Sequence, residues 1–180
     1  MTRPHEEEAT APFTILVVCS GNTCRSPFGE GLLRKLLSER LHSPAQIFSA
    51  GTSAVAGAPV TPDAVRTAKE YGVDLAGKSS TPLTPDLIEQ ADMILVMEKR
   101  HRDRIVRVIP TASAKTRIVT DLAPESRIAE VADPYGLGID AYQRCFSDLH
   151  SIFTEAFPQI AERVQHHESR PGRDAAPGPA

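Results

Sequence analysis

Apolar positions along the chain change their period several times, and each change marks an element. Ile15-Leu16-Val17-Val18 is a continuous, partly β-branched run and reads as a buried strand over about Phe13 to Cys19. From about Pro27 to Leu41 the period becomes helical. Phe28, Leu32 and Leu36 make one row, with Leu33, Leu37 and Leu41 beside it. Gly29 and Gly31 weaken the first turn of that helix; glycine there serves either close packing against a neighbour or nothing. Ala45 to Ala50 reads as a second strand, ended by Gly51. Thr61-Pro62-Asp63 and Thr84-Pro85-Asp86 are helix starts, a threonine cap followed by proline in the first turn. The first of these helices stops at Gly72 and the second at about Gln90.

Met93 to Met97 is a third apolar run, a buried strand, and a basic helix follows over about Lys99 to Ile109 until Pro110 breaks it. Lys115 to Val119 reads as a fourth strand, and Thr120 to Gly138 as mostly loop. The last helix spans about Ile139 to Phe157, with Val164 as its furthest reach. Tyr142, Cys145, Phe146, Leu149, Ile152, Phe153, Ala156 and Ile160 form one long apolar stripe along it. Residues 1–12 and 165–180 are polar or rich in Pro, Gly and Ala. They predict a disordered N-terminal extension and a disordered tail around one domain over 13–164. Strands alternating with helices imply an α/β fold, a three-layer doubly wound sheet of parallel strands. In such sheets ligands sit at the carboxyl ends of strands near the switch point, and a central first strand puts Cys19 there.

Composition narrows the function classes. A chain of 180 residues with a formal net charge of -3 is no general nucleic-acid binder. Three cysteines, Cys19, Cys24 and Cys145, are too few for a secreted disulfide scaffold, and a free nucleophilic thiol needs a reducing compartment. Met1 to Ala11 lacks the apolar core of a signal peptide, and no stretch approaches the length of a membrane span. The expectation is a cytoplasmic protein that engages neither nucleic acid nor membrane.

The chemistry concentrates in Cys19-Ser20-Gly21-Asn22-Thr23-Cys24-Arg25-Ser26-Pro27. A cysteine ends a strand, a short loop follows, and Ser26-Pro27 reads as an N-cap and first position of the helix. Backbone N–H groups in such a loop make an anion nest at the helix N-terminus, and Arg25 offers a planar fork to phosphate oxygens. A cysteine in that field is expected to ionise below its ordinary value. The alternative for Cys19 is a buried strand-end thiol, and for Ser26 a cap and nothing more.

This string closely resembles the phosphate loop of the low-molecular-weight protein tyrosine phosphatase family, and the resemblance covers about Phe13 to Ala161. It implies a sheet of four parallel strands with the Cys-x5-Arg loop after the first. It also implies hydrolysis of phosphotyrosine through a cysteinyl-phosphate intermediate, with no metal or other cofactor. By the resemblance Cys19 is the nucleophile. Arg25 and the backbone from Ser20 through Gly21, Asn22, Thr23 and Cys24 to Arg25 bind the phosphoryl group, and Ser26 supports the thiolate. Asn22 holds the loop in shape, with Ser49 as its hydrogen-bonding partner. Asp133, in Asp133-Pro134-Tyr135, matches the family's general acid, against the reading of an ordinary Asp-Pro turn. Tyr135 walls the entrance, or is simply a half-exposed loop tyrosine. Cys24 either traps an oxidised Cys19 as a disulfide or fills the loop.

Two departures stand out. Lys78 takes the place where many members carry a histidine, and Thr23 stands where tyrosine-directed members commonly have an aliphatic residue. Threonine there resembles the protein-arginine phosphatase branch, which keeps phosphoarginine as the alternative substrate. Arsenate reductase shares the loop but relays oxidation through two further cysteines, and only Cys145 lies beyond the loop. A non-catalytic phosphate-binding module would have lost Cys19, Arg25 or Asp133. The implied partner is a phosphorylated protein, with a tyrosine kinase as the analogy from bacterial members. The six histidines show no catalytic pattern. The basic run Lys99-Arg100-His101-Arg102 with Arg104 and Arg107 reads as a solvated face, or as a contact for an acidic protein substrate.

Overall fold

The structure, a computed structural model, describes residues 11–41 and 45–168. Four strands, β1 (Thr14–Cys19), β2 (Gln46–Gly51), β3 (Met93–Val96) and β4 (Thr116–Ile118), form one parallel sheet in the order β2-β1-β3-β4. The helices are α1 (Arg25–Arg40), α2 (Pro62–Glu70), α3 (Pro85–Gln90), α4 (Lys99–Val108) and α5 (Ile139–Glu168). The doubly wound α/β architecture expected from the alternation is therefore present, with β1 inside the sheet. From β1 the chain goes outward to β2 and returns to β3 on the other side. The switch point thus lies between the ends of β1 and β3.

Side chains alternate across β1, so its two faces feed two cores. Ile15, Val17 and Cys19 join the larger core with Phe28, Leu32, Leu33, Phe146, Leu149 and Phe153, residues of α1 and α5. Leu16 and Val18 join the smaller one with Ile88, Ile94, Val96 and Ile105. Phe28 stacks on Phe146 with ring centroids 4.0 Å apart and planes 7° from parallel, which locks α1 to α5 under the sheet. Both threonine caps form as expected: Thr61 Oγ1 accepts from Ala64 N and Thr84 Oγ1 from Leu87 N.

Two boundaries differ from the sequence expectation. α1 begins at Arg25, before Ser26, with Cys24 in the cap position and no side-chain cap bond. The loop's last turn is already helical, since Phe28 N donates to Cys24 O at 3.2 Å. Pro27 is tolerated there because the first-turn N–H groups have no intrahelical partner. α5 runs on to Glu168, past the expected start of the tail. Val164 is buried, and His167 packs edge-on against Phe13 while its Nε2 meets Ala11 O at 2.8 Å. The rest of both expected extensions, with His5 and His42, lies outside the described residues. Among the described residues no helix is long and apolar enough to cross a membrane.

The glycines of α1 serve packing. A Cβ on Gly31 would lie 2.3 Å from Val73 Cγ1, and one on Gly29 would lie 3.0 Å from the Phe153 ring. Alanine normally gains about 0.5–1 kcal/mol over glycine inside a helix. Overpacking a buried, β-branched neighbour costs about 1–3 kcal/mol and wins here. Gly31→Ala should therefore lower the urea midpoint with the m-value unchanged. An unchanged or raised midpoint would show that α1 and Val73 separate freely.

Candidate active site

Cys19 ends β1, and the chain leaves the sheet through Ser20–Cys24 before α1 begins. Asn22 makes this turn, fully buried at a φ of 53°, a left-handed conformation that asparagine adopts more readily than most residues. Its Nδ2 donates to Ser26 Oγ and to Ser49 Oγ, each at 2.9 Å, and its Oδ1 accepts from Thr81 N at 2.7 Å. Ser49 Oγ donates onward to Glu30 Oε2 at 2.6 Å, and Lys78 Nζ meets that same oxygen at 2.6 Å. The departure at Lys78 is thus absorbed by an ion pair with a buried glutamate. Ser26 is not a cap. Its Oγ lies 2.9 Å from Cys19 Sγ and 3.3 Å from Ala50 O, so the hydroxyl can turn its proton to the sulfur. Asn22 N also donates to Cys19 Sγ, at 3.3 Å.

Arg25 is almost wholly buried, and two carboxylates bracket it. Its NH1 pairs with Glu98 and donates to Val131 O at 3.0 Å; its NH2 pairs with Asp133. Its Nε is buried with no hydrogen-bond partner among the described residues. The other Asp133 oxygen, Oδ1, accepts from Tyr135 N at 3.3 Å, so both ends of that carboxylate are held. The expectation of a thiol that ionises easily is not met in this arrangement. Burial pushes the Cys19 thiol up, and Arg25 with the hydrogen bonds of Ser26 and Asn22 pulls it back only in part.

The structure brings together most of the residues singled out in the sequence. Cys19, Ser20, Gly21, Thr23, Cys24, Arg25, Asp133 and Tyr135 all line one cleft of about 330 Å³, with Asn22, Ser26 and Ser49 behind it. Ser53, Val55 and Ala58 complete the wall. Tyr135 stands at the rim, 67% exposed. Cys24 Sγ lies 3.4 Å from Tyr142 OH and 3.5 Å from Thr61 Oγ1. Cys145 is core, its thiol pushed up to about 12, chiefly by burial. Among the described residues no group of three His, Cys, Asp or Glu side chains is placed to hold a metal ion.

Sequence reasoning missed Glu98, His101 and Arg100. Glu98 follows the carboxyl end of β3, across the switch point from Cys19, where the topology rule could have found it. His101 is buried, with Nε2 2.9 Å from Ser20 Oγ, and Arg100 NH2 donates to the same oxygen at 3.2 Å. Burial pushes the Glu98 carboxyl up, but Arg100 and Arg25 outweigh it and hold it at about 2. Burial pushes His101 down; the Arg25 and Arg100 charges add to that against Glu98, and the ring titrates at about 4.

A family model described as "Low molecular weight phosphotyrosine protein phosphatase" matches residues 14–168. The low molecular weight protein-tyrosine-phosphatase Etp of Escherichia coli K12 is 34% identical over 142 residues, 79% of this chain and 90% of that protein. The protein-arginine-phosphatase of Bacillus subtilis is 34% identical over 146 residues, 81% of this chain and 95% of that protein. The crystal structure of the Erwinia amylovora tyrosine phosphatase AmsI superposes with a TM-score of 0.73 at 35% identity. That match covers 84% of this chain and 95% of that one.

The buried imidazole gives the site a signature in stability. His101 is held neutral down to about pH 4, whereas an unfolded histidine takes a proton near 6.5. Between those values the unfolded chain binds the extra proton. Stability should fall as pH drops through this window, by at most about 1.4 kcal/mol per pH unit. The contribution of Glu98 is lost only lower, as pH falls from about 4.3 towards about 2. Urea midpoints measured from pH 7 to 4 should show the slope, and His101→Gln should flatten it. The same slope in both proteins would mean that the ring is already protonated in the native state.

Proposed function

The chain belongs to the low molecular weight phosphotyrosine protein phosphatase family, and from that premise we propose that it hydrolyses phosphotyrosine in protein substrates through a cysteinyl-phosphate on Cys19. The observation that carries this reading is the convergence of Cys19, Arg25 and Asp133 on one cleft. The Cys19 thiol first gives up its proton to solvent; the thiolate then attacks phosphorus in line, the S–P bond forms as the bond to the phenolic oxygen breaks, and the protonated Asp133 carboxyl donates its proton to that oxygen. Asp133 then takes a proton from water, which attacks phosphorus, releasing phosphate and the thiolate. Ser26 Oγ, 2.9 Å from the sulfur, supports the thiolate in both steps. The loop N–H groups and Arg25 hold the equatorial oxygens. An oxyanion there would satisfy Arg25 Nε, a buried donor that has no partner among the described residues and would cost about 1–3 kcal/mol left unpaired.

The exposed ring of Tyr135 at the rim supports an aryl substrate. Thr23, which lines the same cleft, favours phosphoarginine as the second reading. The contacts of Cys24 with Tyr142 and Thr61 support its loop-filling role over that of a disulfide partner. The three cysteines are free, which supports a reducing, cytoplasmic setting. Turnover of matched phosphotyrosine, phosphoarginine and phosphoserine peptides, without added metal, tests the substrate. Phosphotyrosine should be fastest and phosphoserine negligible; faster phosphoarginine turnover would transfer the assignment to Thr23's reading.

Asp133 has two opposed effects, because it both supplies the proton and occupies Arg25 NH2. Asp133→Asn should slow phenyl phosphate by about 10²–10⁴ and an activated nitrophenyl ester much less. The same variant should bind inorganic phosphate more tightly, since a competing carboxylate has gone. Equal slowing of both esters with weaker phosphate binding would show that Asp133 only shapes the loop.

A further inference from the structure

Beside the cleft, α4 carries five basic residues against one aspartate in a chain whose formal net charge is -3. Arg100, Arg104 and Arg107 recur at four and then three residues, which puts them on one face, and all three are exposed. The opposite face is anchored by His101 and Ile105, both buried. Neighbouring cations are engaged: Lys99 pairs with Asp103 at 3.2 Å, and Arg102 donates to Ser113 Oγ at 3.1 Å. Arg104 and Arg107 have no hydrogen-bond or ion-pair partner among the described residues.

The row starts at the site. Arg100 NH2 donates to Ser20 Oγ in the phosphate loop, 3.2 Å away. Arg104 borders a second groove of about 140 Å³, lined also by Thr52, Pro85 and Val108. Thr52 N donates to Cys19 O at 2.9 Å, and the next residue, Ser53, already lines the cleft. From Arg100 to Arg107 the helix rises about 10 Å, the length of about three residues of extended chain. Arg100 is shared with Glu98, whose oxygens meet its Nε at 2.7 Å and its NH2 at 2.9 Å, whereas Arg104 and Arg107 are left unneutralised among the described residues, and such guanidinium groups match carboxylates in geometry and charge.

We propose that the Arg100–Arg104–Arg107 face of α4 docks an acidic segment of the phosphoprotein substrate, within about three or four residues of the phosphorylated one. This rests on the phosphatase reading given above. Exposed pairs are individually weak, so two of them together should change kcat/KM by roughly threefold to thirtyfold at low salt, and through KM. The side chains lie outside the cleft, so the chemical step should not sense them.

The test uses the full chain and phosphotyrosine peptides whose flanking positions carry Asp and Glu, their amides, or Lys. Phenyl phosphate reports the basal reaction. The wild type should favour the acidic peptide over the amide peptide by that factor at low salt, with kcat unchanged, and lose the preference at high salt. Arg104→Gln with Arg107→Gln should abolish the preference and leave phenyl phosphate untouched, and Arg104→Glu with Arg107→Glu should favour the Lys peptide. Equal KM for acidic and amide peptides in the wild type, or a preference that survives in the double variant, overturns the proposal. Failure to hydrolyse phenyl phosphate would instead remove the phosphatase reading, and the docking proposal with it.

Discussion

The side-chain amide of Asn22 ties together the parts on which the site depends. It bridges the phosphate loop to α1 at Ser26, to β2 at Ser49 and to the strand-like segment at Thr81, and it does so fully buried. Each of these bonds is worth only about 1 kcal/mol net, but a buried amide left without them costs more than it gains when paired. Two features surround this knot. Ser49 passes the connection to Glu30 and Lys78, so a half-buried cation completes a chain of contacts that ends at Cys19. Gly51 lets β2 approach, since a Cβ there would come within 2.5 Å of Ser20 O and 2.9 Å of Asn22 N. These are backbone atoms that cannot yield, so β2 and the loop must meet at glycine.

The second constraint is the balance of charge around Arg25. One guanidinium buried under the loop faces two carboxylates, and the thiol beside it is pushed up by its own burial. Glu98 sits on the other nitrogen and is held down by Arg100 as well. In the proposed reaction a phosphoryl group in the loop would take NH2 over from Asp133 and free that carboxyl, so binding and acid catalysis would be coupled through one desolvated cation between the ends of β1 and β3.

Much of this was legible in the chain. The β-branched run before Cys19, the threonine caps at Thr61 and Thr84, and the stripe of α5 each report a local physical demand, and each formed. The loop string and Asp133-Pro134-Tyr135 could be read because both carry their residues in short spacing. Glu98 and His101 carry no such short-range signal, because their partners lie 73 and 81 residues away and meet them only when β3 settles beside β1; the topology rule alone points to Glu98, just past the end of β3. The basic run around His101 hid it further, since His101 and Ile105 are buried on one helix face while Arg104 and Arg107 stand exposed on another. Ser26 misled for a related reason. Ser-Pro is a common cap, but here the hydroxyl is drawn inward by Cys19, Asn22 and Ala50. The end of α5 depends on contacts with Phe13 and Ala11, which no periodicity announces.

The proposed reaction requires covalent chemistry at Cys19, in a loop that Asn22 and Arg25 hold in shape. The most direct measurement is a single-turnover reaction with a phosphotyrosine peptide, quenched in denaturant at neutral pH and mapped by mass spectrometry. A phosphoryl adduct on Cys19 should appear with the first release of dephosphorylated peptide and decay as inorganic phosphate accumulates. Cys19→Ser should show neither adduct decay nor sustained turnover. Full turnover without any adduct, undiminished in Cys19→Ser, would contradict the proposed reaction.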